Sequence, residues 1–291
     1  MEHENIVKLR QICASSAESV YLVFEYFEYD LAGILLHPDR ALFALPHIKY
    51  IMKQLLAALD YLHAHGVVHR DIKGSNLLLD TSGRVKLADF GLAKVFIHPD
   101  KAGRPAAEDN VEPQCNRMMT NRVITLWYRP PELLLGSTSY GPEVDMWGAG
   151  CIFLDLLAGK PVFTGQDEIS QLECICRRLG PIPSTLEALR NLPWFNMMTD
   201  LISAEDDSSP ASPRSADYLF DEFGDRLGEG REGLDLLRSL LAMDPAHRIS
   251  AHDALNHPWF RGEPTACEPS NLRLPQDGEW HEFEGKQRTR K

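Results

Sequence analysis

The sequence predicts an α+β fold, with a small strand-containing N-terminal part followed by a larger, mainly helical part. Residues 6–13 and 20–26 are rich in β-branched and aromatic side chains and flank a turn of Ser and Ala, which is typical of two paired strands. Residues 46–65 repeat apolar side chains at helical spacing, and residues 143–159 are apolar on nearly every side, which predicts a helix buried in a core. With 291 residues, 44% of them hydrophobic, the chain can bury one large core or two modest ones.

The segment 46–65 is predicted to be a single helix. Pro46 suits the first helical turn, where its missing N–H is harmless, and Gly66 ends the helix. One face carries the apolar side chains Ile48, Ile51, Leu55, Leu59 and Leu62. Farther along, the apolar segments 77–79 and 85–87 flank a short polar turn, as the two strands of a hairpin would.

Composition and charge argue against several classes of function. The net charge of −12 and the pI of about 5.4 do not suit a protein that binds nucleic acid mainly through its phosphates, so we expect no direct nucleic-acid partner. No apolar run reaches membrane-spanning length and the N-terminus is too acidic for a signal peptide, so we expect no membrane association and a nuclear or cytosolic protein. The six cysteines show neither zinc nor redox spacing and are expected to be reduced.

Residues 69–91 contain a spaced set of polar residues whose types suit phosphoryl transfer. A His-Arg-Asp motif ends at Asp71, Asn76 follows five residues later, and an Asp-Phe-Gly motif begins at Asp89, thirteen residues after that Asn. Transfer to a hydroxyl needs a carboxylate that orients the nucleophile and accepts its proton, a role we assign to Asp71. It also needs oxygen ligands for Mg²⁺, for which Asn76 and Asp89 are the candidates, while Lys73 can stabilise the transferring charge. Taken singly, such an Asp or Asn more often marks a turn or a helix cap.

This ordered set resembles the catalytic core of eukaryotic protein kinases. The resemblance implies a protein-kinase-like fold with ATP and Mg²⁺ as cofactors. Residues 1–29 would be a two-stranded remnant of the N-lobe sheet with the hinge, and residues 30–260 a mainly helical C-lobe. Two stretches without periodicity, about 97–115 and 199–217, are predicted to be insertions, and residues 261–291 a C-terminal tail. For the basic tail, packing near the hinge, a nuclear signal and a solvated charge run stay open.

The resemblance also implies which residues hold the nucleotide. Phe24 corresponds to the gatekeeper at the back of the adenine pocket, and the backbones of Glu25 and Phe27 to those that hydrogen-bond the adenine edge. Asp30 is expected near the ribose, and Leu78 in the same cofactor site. Without the downstream motif, the aromatic alternation here fits a half-buried strand equally well.

Residues 120–132 read Thr-Asn-Arg-Val-Ile-Thr-Leu-Trp-Tyr-Arg-Pro-Pro-Glu. This segment resembles the cyclin-dependent kinases, most of all the transcriptional members that phosphorylate the C-terminal repeat domain of RNA polymerase II. The resemblance makes Thr120 the regulatory phosphosite, whose phosphate would gather Arg70 and other cations. Lys94 stands where many relatives carry an Arg, and it would contribute less because Lys cannot form a bidentate fork.

The same resemblance assigns residues around the substrate. Thr125 would join the catalytic group by tying the segment to Asp71 and Lys73. Val123 and Arg129 would shape the substrate pocket that admits a proline after the target Ser or Thr.

Three further residues are expected to be structural. Glu132 needs a buried partner in such folds, and Arg248 is the candidate. Asp145, in the first turn of the apolar helix, could cap backbone amides of the catalytic loop.

Together these features predict a cyclin-dependent Ser/Thr protein kinase that transfers the γ-phosphate of ATP to Ser/Thr-Pro sites. The resemblance implies the RNA polymerase II C-terminal domain as substrate, a cyclin as partner and a nuclear location, with a cytoplasmic one left open.

One departure keeps alternatives open. Residues 3–9 correspond to the link after the small lobe's regulatory helix, so the Gly-rich loop, the strand Lys and the helix Glu of an ATP site do not appear in this sequence. Whether they are absent from the protein or only from the gene model stays open. The alternative is a truncated, non-catalytic kinase-like binding module. A small-molecule kinase of related fold fits less well, because residues 125–132 resemble a peptide-binding shelf.

Overall fold

The described strands all lie before residue 97 and helices dominate the rest of the chain, which confirms the predicted α+β fold class. This computed structural model describes residues 2–14, 19–37, 43–96, 124–183, 185–205, 218–228, 230–275 and 278–283. The strands are β1 (Leu9–Ala14), β2 (Val20–Phe24), β3 (Tyr29–Asp30), β4 (Val67–Val68), β5 (Leu77–Leu79), β6 (Val85–Leu87) and β7 (Lys94–Val95). The helices are α1 (Leu31–Leu36), α2 (Leu45–Ala64), α3 (Pro131–Leu134), α4 (Glu143–Ala158), α5 (Glu168–Leu179), α6 (Glu187–Arg190), α7 (Phe195–Glu205), α8 (Tyr218–Leu227), α9 (Glu232–Leu240) and α10 (Ala251–Leu255). The predicted insertion at 97–115 lies outside the described residues, as do Thr120 and Val123.

Strands β1 and β2 form an antiparallel hairpin in which Leu9 lies opposite Phe24. The first strand begins later than predicted, because Ile6 instead forms a parallel bridge with Leu87 of β6. The N–H of Val7 also donates to the Leu87 carbonyl at 2.9 Å. These contacts fasten the chain ahead of the hairpin to the second sheet, whereas the side chains of β2 are exposed.

A three-stranded antiparallel sheet, in the order β3-β5-β6, supports the polar motifs. Leu78 of β5 lies opposite both Asp30 of β3 and Lys86 of β6, so the predicted hairpin is present. Its turn contains Gly83, with a φ of +80°, where a Cβ atom would lie 2.0 Å from the carbonyl oxygen of Pro269. Only glycine therefore lets the C-terminal tail cross the turn at this point.

Helices α2 and α4 form the centre of the core. The predicted apolar face of α2 is completely buried, namely Ile48, Ile51, Leu55, Leu59 and Leu62. Helix α4 is buried along nearly its whole length, as its sequence predicts, and ends at Gly159 with a φ of +70°. None of the helices in the described part of the chain combines the length and the apolar composition that crossing a bilayer requires.

Part of the predicted insertion at 199–217 is helical, so residues 199–205 are not the irregular stretch that the composition suggests. Helix α7 includes these residues. Met198 is buried, and the Thr199 hydroxyl donates to the Phe195 carbonyl at 2.9 Å, so the helix is anchored as it passes residue 199. The Ser, Pro and acidic residues behind the prediction are concentrated in 206–217, outside the described residues.

The described residues of the tail pack against the body of the protein, which favours the packing alternative for them. The Lys49 ammonium donates to the Gly262 carbonyl at 2.6 Å, and the Cys267 N–H donates to the Pro46 carbonyl at 3.1 Å. Farther on, Trp280 is buried and its backbone pairs with β3.

Glu132 of α3 and Arg248 form a buried, bidentate ion pair. The Arg248 nitrogens Nη1 and Nη2 donate to Oε1 and Oε2 at 2.7 and 2.9 Å. Arg248 also donates to the carbonyls of Ala242 and Glu143 and lies over the ring of Trp147. The predicted pair therefore ties α3 and the start of α4 to the segment before α10.

Asp155, near the C-terminal end of α4, is a second buried carboxylate. Its oxygens accept hydrogen bonds from the Tyr128 hydroxyl at 2.8 Å and from the Val162 N–H at 2.9 Å. Burial raises the pKa of Asp155 to about 7, and the hydrogen bonds from Tyr128 and Val162 offset only part of this effect. A group that titrates near neutral pH thus anchors the Tyr128 segment to α4.

We expect Arg248→Ala to lower the free energy of unfolding by about 3–5 kcal/mol, because Glu132 would remain as a buried charge without a partner. Chemical denaturation measures this change. The control is Arg178→Ala, which removes a partly exposed ion pair with Glu222 and should cost less than about 1 kcal/mol. Equal losses in the two variants would contradict the prediction.

We also expect Asp155 to make the protein less stable as the pH rises from about 4 to 7. Unfolded Asp155 ionises near 3.8, whereas the folded protein keeps its proton up to about pH 7, so the folded state binds more protons in this window. A full proton difference is worth about 1.4 kcal/mol per pH unit and shrinks as folded Asp155 ionises near pH 7, so wild type should lose about 2 kcal/mol more than Asp155→Asn between pH 5 and 7. Denaturation curves at both pH values provide the test, and identical losses in the two proteins would rule the effect out.

Candidate active site

Asp145, at the start of α4, shapes the loop that carries Asp71. Its Oδ2 accepts the N–H of His69 and its Oδ1 the N–H of Arg70, both at 2.8 Å, and Oδ2 also lies 2.9 Å from Nε2 of His63. Arg70 has a φ of +67°, a left-handed conformation that is costly for a residue with a Cβ. The structure thus places Asp145 as a cap of the catalytic-loop amides, where the sequence predicts it, and the cap holds Arg70 in this conformation.

Three side chains of the predicted catalytic set, those of Lys73, Asn76 and Thr125, meet at the carboxylate of the fourth member, Asp71. Lys73 Nζ and Asn76 Nδ2 donate to Oδ2 at 2.7 and 3.0 Å, and the Thr125 hydroxyl donates to Oδ1 at 3.0 Å. Lys73 also donates to the Thr125 hydroxyl at 3.1 Å, so Asp71, Lys73 and Thr125 form a closed ring. Two segments more than fifty residues apart in sequence are joined at this one carboxylate.

The environment of Asp71 keeps its carboxylate ionised. Burial alone would raise the pKa of Asp71, but the charge and hydrogen bond of Lys73, with the bonds from Thr125 and Asn76, outweigh burial, and the net pKa is lowered. An ionised carboxylate can hydrogen-bond a substrate hydroxyl. It can accept the proton once that oxygen bonds to phosphorus and becomes more acidic.

His69 has no role in the prediction from sequence, yet it is completely buried between two of the motifs. Its Nε2 lies 2.9 Å from the Ala88 carbonyl, and its Nδ1 accepts the N–H of Asp71 at 3.3 Å. Burial lowers the pKa of His69, and the two partners select the neutral tautomer with its proton on Nε2. His69 therefore joins the Asp71 loop to the residue before Asp89. Its fixed place in the His-Arg-Asp motif is the only sequence signal for this role.

Asn76 and Asp89 offer the oxygen atoms that Mg²⁺ prefers. The Ala88 N–H donates to the Asn76 carbonyl at 2.9 Å, which brings Asp89 next to the loop. The Asn76 amide nitrogen donates to the backbone and the carboxylate of Asp71, which leaves Oδ1 as its ligand atom. Among the described residues, no group of three or more His, Cys, Asp or Glu side chains could hold a metal ion. Nucleotide phosphates and water would complete the coordination of a Mg²⁺ ion held by these two side chains.

The predicted adenine-binding residues lie between the N-terminal hairpin and the three-stranded sheet. Phe24 ends β2 with its side chain 44% exposed, while Phe27 is buried in a small apolar cluster against which Leu78 packs. The Glu25 N–H donates to the Lys8 carbonyl at 3.0 Å. Of the two Glu25 backbone groups, the carbonyl is therefore the one left for an adenine edge.

Asp30 has both carboxylate oxygens engaged by backbone N–H groups, and its expected place near the ribose stays a prediction. Its Oδ1 accepts the Gly33 N–H at 2.7 Å, which makes Asp30 the N-cap of α1, and its Oδ2 accepts the Glu282 N–H of the tail at 2.8 Å. Nδ1 of His281 lies 3.5 Å from the same Oδ2. Burial raises the pKa of Asp30, although both hydrogen bonds act in the opposite direction. An Asp directly before an apolar helical run is a capping signal, and the structure shows Asp30 in that role.

The two predicted phosphate-binding cations lie on neighbouring segments of the fold. Arg70 donates from Nε to the Leu92 carbonyl at 2.6 Å and from Nη1 to the Tyr140 hydroxyl at 3.3 Å. Lys94 of β7 pairs with Val68 of β4, two residues before Arg70. Because Thr120 lies outside the described residues, its contact with these cations stays a prediction.

Ile124 is a further site residue that the sequence does not reveal. Its φ is +69°, which is rare for a β-branched residue, and its carbonyl accepts a hydrogen bond from Arg129 Nη2 at 3.1 Å. Arg129 also pairs with Glu168 of α5 at 3.2 Å. Ile124 acts through its backbone, so its side chain gives no signal, while its predicted neighbour Val123 lies outside the described residues.

Comparisons with known proteins agree with this geometry. Residues 1–260 match the family model of the protein kinase domain. CTD kinase subunit alpha of Schizosaccharomyces pombe is 41% identical, over 100% of this chain and 44% of that protein. Cyclin-dependent kinase 9 of Rattus norvegicus is 39% identical, over 94% of this chain and 68% of that protein. Among solved structures, the yeast RNA Pol II CTD kinase CTDK-1 complex matches with a TM-score of 0.76 and 35% identity, over 93% of this chain and 80% of that chain.

Coverage differs among these relatives. The chain spans 44% to 54% of several curated relatives that it matches, about half of their length. It spans more than two thirds of cyclin-dependent kinase 9, and the family model covers most of the chain. The chain therefore belongs to the protein kinase family and, within it, to the cyclin-dependent kinases.

Proposed function

We propose that the protein containing this chain is a Ser/Thr protein kinase that transfers the γ-phosphate of ATP to hydroxyl groups of a protein substrate. The observation that carries the proposal is the closed network of Asp71, Lys73 and Thr125, completed by Asn76. A nucleophile-orienting carboxylate, a cation and a hydroxyl are held within hydrogen-bonding distance on two separate segments. This is the arrangement that phosphoryl transfer to a hydroxyl requires.

Each member of the network has a distinct role in this proposal. Asp71 orients the substrate hydroxyl and receives its proton as the new bond to phosphorus forms. Lys73, already 2.7 Å from Asp71, places its positive charge where negative charge develops on the phosphoryl oxygens. Asn76 and Asp89 would hold Mg²⁺, which supplies charge neutralisation of the phosphates when bound.

The adenine end of the nucleotide would rest on the hinge. We assign the Glu25 carbonyl and the Phe27 backbone to the adenine edge, Phe24 to the back of the pocket and Leu78 to its floor. Support comes from Leu78 packing against the cluster that contains Phe27.

The substrate would lie along the segment that begins at Ile124. The carbonyl of this residue is turned to Arg129, so it cannot bond a substrate backbone, and a proline, which lacks an N–H, loses nothing at such a position. Val123 would complete this pocket. We therefore propose Ser/Thr-Pro target sites, with a phosphate on Thr120 as the regulatory signal that Arg70 and Lys94 read.

Partners and substrate follow from the relatives. One relative is named a CTD kinase subunit, another a cyclin-dependent kinase, and the solved complex is described as an RNA Pol II CTD kinase. On this basis we propose a cyclin partner, the C-terminal domain of RNA polymerase II as substrate, and a nuclear location.

A second candidate function is a non-catalytic module that binds substrates or partners. The exposed apolar side chains of β2 favour it, because Val20, Tyr21 and Leu22 are each more than half exposed. A phosphorylation assay on a Ser-Pro repeat peptide, with the natural protein and added cyclin, separates the two. Peptide binding without phosphate transfer would support the module and overturn the kinase.

We expect Asp71→Asn and Asp89→Asn to fail in different ways. Asp71→Asn should lower phosphate transfer by roughly 100- to 10,000-fold, because the amide cannot accept the proton, while nucleotide binding persists. Asp89→Asn should instead weaken Mg²⁺-dependent nucleotide binding, because an amide replaces a charged ligand. Peptide phosphorylation and nucleotide titration, each with the cyclin present, measure the two properties.

Asp60→Asn is the matched control, since Asp60 is partly exposed on α2, where it lies 3.7 Å from His252. This variant should retain both properties. If Asp71→Asn and Asp89→Asn changed transfer and binding in equal measure, the assigned roles would be wrong.

A further inference from the structure

We propose that Lys86 is a positioning residue for the nucleotide, which acts by holding the hinge through the carboxylate of Glu25. This inference rests on the proposed function, because the hinge backbone is where that function places the adenine. Lys86 belongs to no motif and has no role in the catalytic network around Asp71.

The Glu25 carboxylate is held from three directions. Lys86 Nζ forms an ion pair with Oε1, and the Lys8 N–H donates to the same oxygen at 2.9 Å. Arg10 approaches Oε2 at 3.4 Å. With the backbone bond from Glu25 to Lys8, both the side chain and the main chain of this hinge residue are fixed.

The two cations differ in how far they are removed from water. The side chains of Lys86 and Glu25 are only 12% and 13% exposed, whereas that of Arg10 is 58% exposed. Water and salt screen an exposed ion pair far more than a buried one. The bond between Lys86 and Glu25 is therefore the one that can restrict the hinge.

The backbone of Lys86 is held in a paired strand. Lys86 lies in β6 opposite Leu78 of β5, and Asp89 follows three residues later in the chain. Its ammonium lies 5.9 Å from the ring centre of Phe27, the other hinge residue of the proposed adenine site. One side chain thus joins the hinge to the strand pair that carries the floor of the site and the metal ligand.

The consequence is a fixed separation between the edge that would bind adenine and the floor beneath it. Burial alone would raise the pKa of Glu25, but the bonds from Lys86 and Lys8 outweigh it and the net pKa is lowered, so the carboxylate stays charged. Without Lys86, Glu25 would keep the exposed Arg10 as its cationic partner, and the hinge would gain freedom relative to β5 and β6.

The test compares Lys86→Met, Lys86→Arg and Arg10→Met in the natural protein with its cyclin. Titration with Mg²⁺ and ADP gives the nucleotide affinity, and hydrogen exchange at residues 25–28 reports hinge freedom without nucleotide. Lys86→Met should weaken ADP binding roughly tenfold, less than the roughly hundredfold loss that displacing a bound group by about 1 Å can cause. The same variant should speed hydrogen exchange at the hinge. Lys86→Arg should keep most of the ADP affinity and most of the protection from exchange, and Arg10→Met should change neither property.

Peptide phosphorylation supplies a further reading, since a positioning role predicts a higher KM for ATP with an unchanged kcat. If wild type binds ADP and Lys86→Met leaves affinity and hinge exchange unchanged, or if Lys86→Met and Arg10→Met behave alike, the inference is overturned and the proposed function stands. If the wild-type complex binds no ADP, the proposed function falls, and the assignment of Lys86 to the nucleotide falls with it.

Discussion

The carboxylate of Asp145 is the constraint on which the rest of the site depends. It is completely buried at the start of α4, and its charge is offset by the amides of His69 and Arg70 and by the ring of His63. These bonds fix a left-handed residue directly before Asp71, so they determine the direction in which the Asp71 side chain points. A loop without this anchor would relax towards ordinary backbone angles and move the carboxylate away from its partners.

Helix α4 extends the same control to the substrate side. Asp155 lies ten residues after Asp145, about 15 Å along the helix, and holds the Tyr128 hydroxyl at 2.8 Å. Tyr128 follows Thr125 in a short 3₁₀ turn, so one buried helix positions both the catalytic loop and the segment that closes on it. The hydrogen bond between Asp71 and Thr125 joins two loops, and each loop is already attached to α4. The relative position of Asp71 and Thr125 is therefore set mainly by that helix.

The sequence predicts those parts of the molecule in which chemistry or periodicity restricts the residue type. Phosphoryl transfer accepts few alternatives at Asp71, Asn76 and Asp89, and the apolar face of α2 follows from helical spacing alone. Prediction from sequence fails where the role of a residue depends on its backbone or on a segment far away in the chain. Ile124 contributes its carbonyl, and a residue with any side chain has one, so the sequence carries no signal for this role. The end of α7 is hard to predict because the helix runs directly into a Ser/Pro-rich segment.

Asp30 shows how contacts remote in sequence shape the chain next to the hinge. Its carboxylate bonds the Glu282 N–H, 252 residues away, and no local pattern predicts a contact of that range. The tail backbone pairs with β3 from one side, while β6 holds Glu25 through Lys86 from the other. Two elements that are remote in sequence therefore help to set the position of the hinge. The nucleotide edge is therefore a tertiary feature. The catalytic loop also depends on remote partners, namely Asp145, Ala88 and Thr125, but its reactive side chains all lie within residues 71–76 and are therefore visible as a sequence motif.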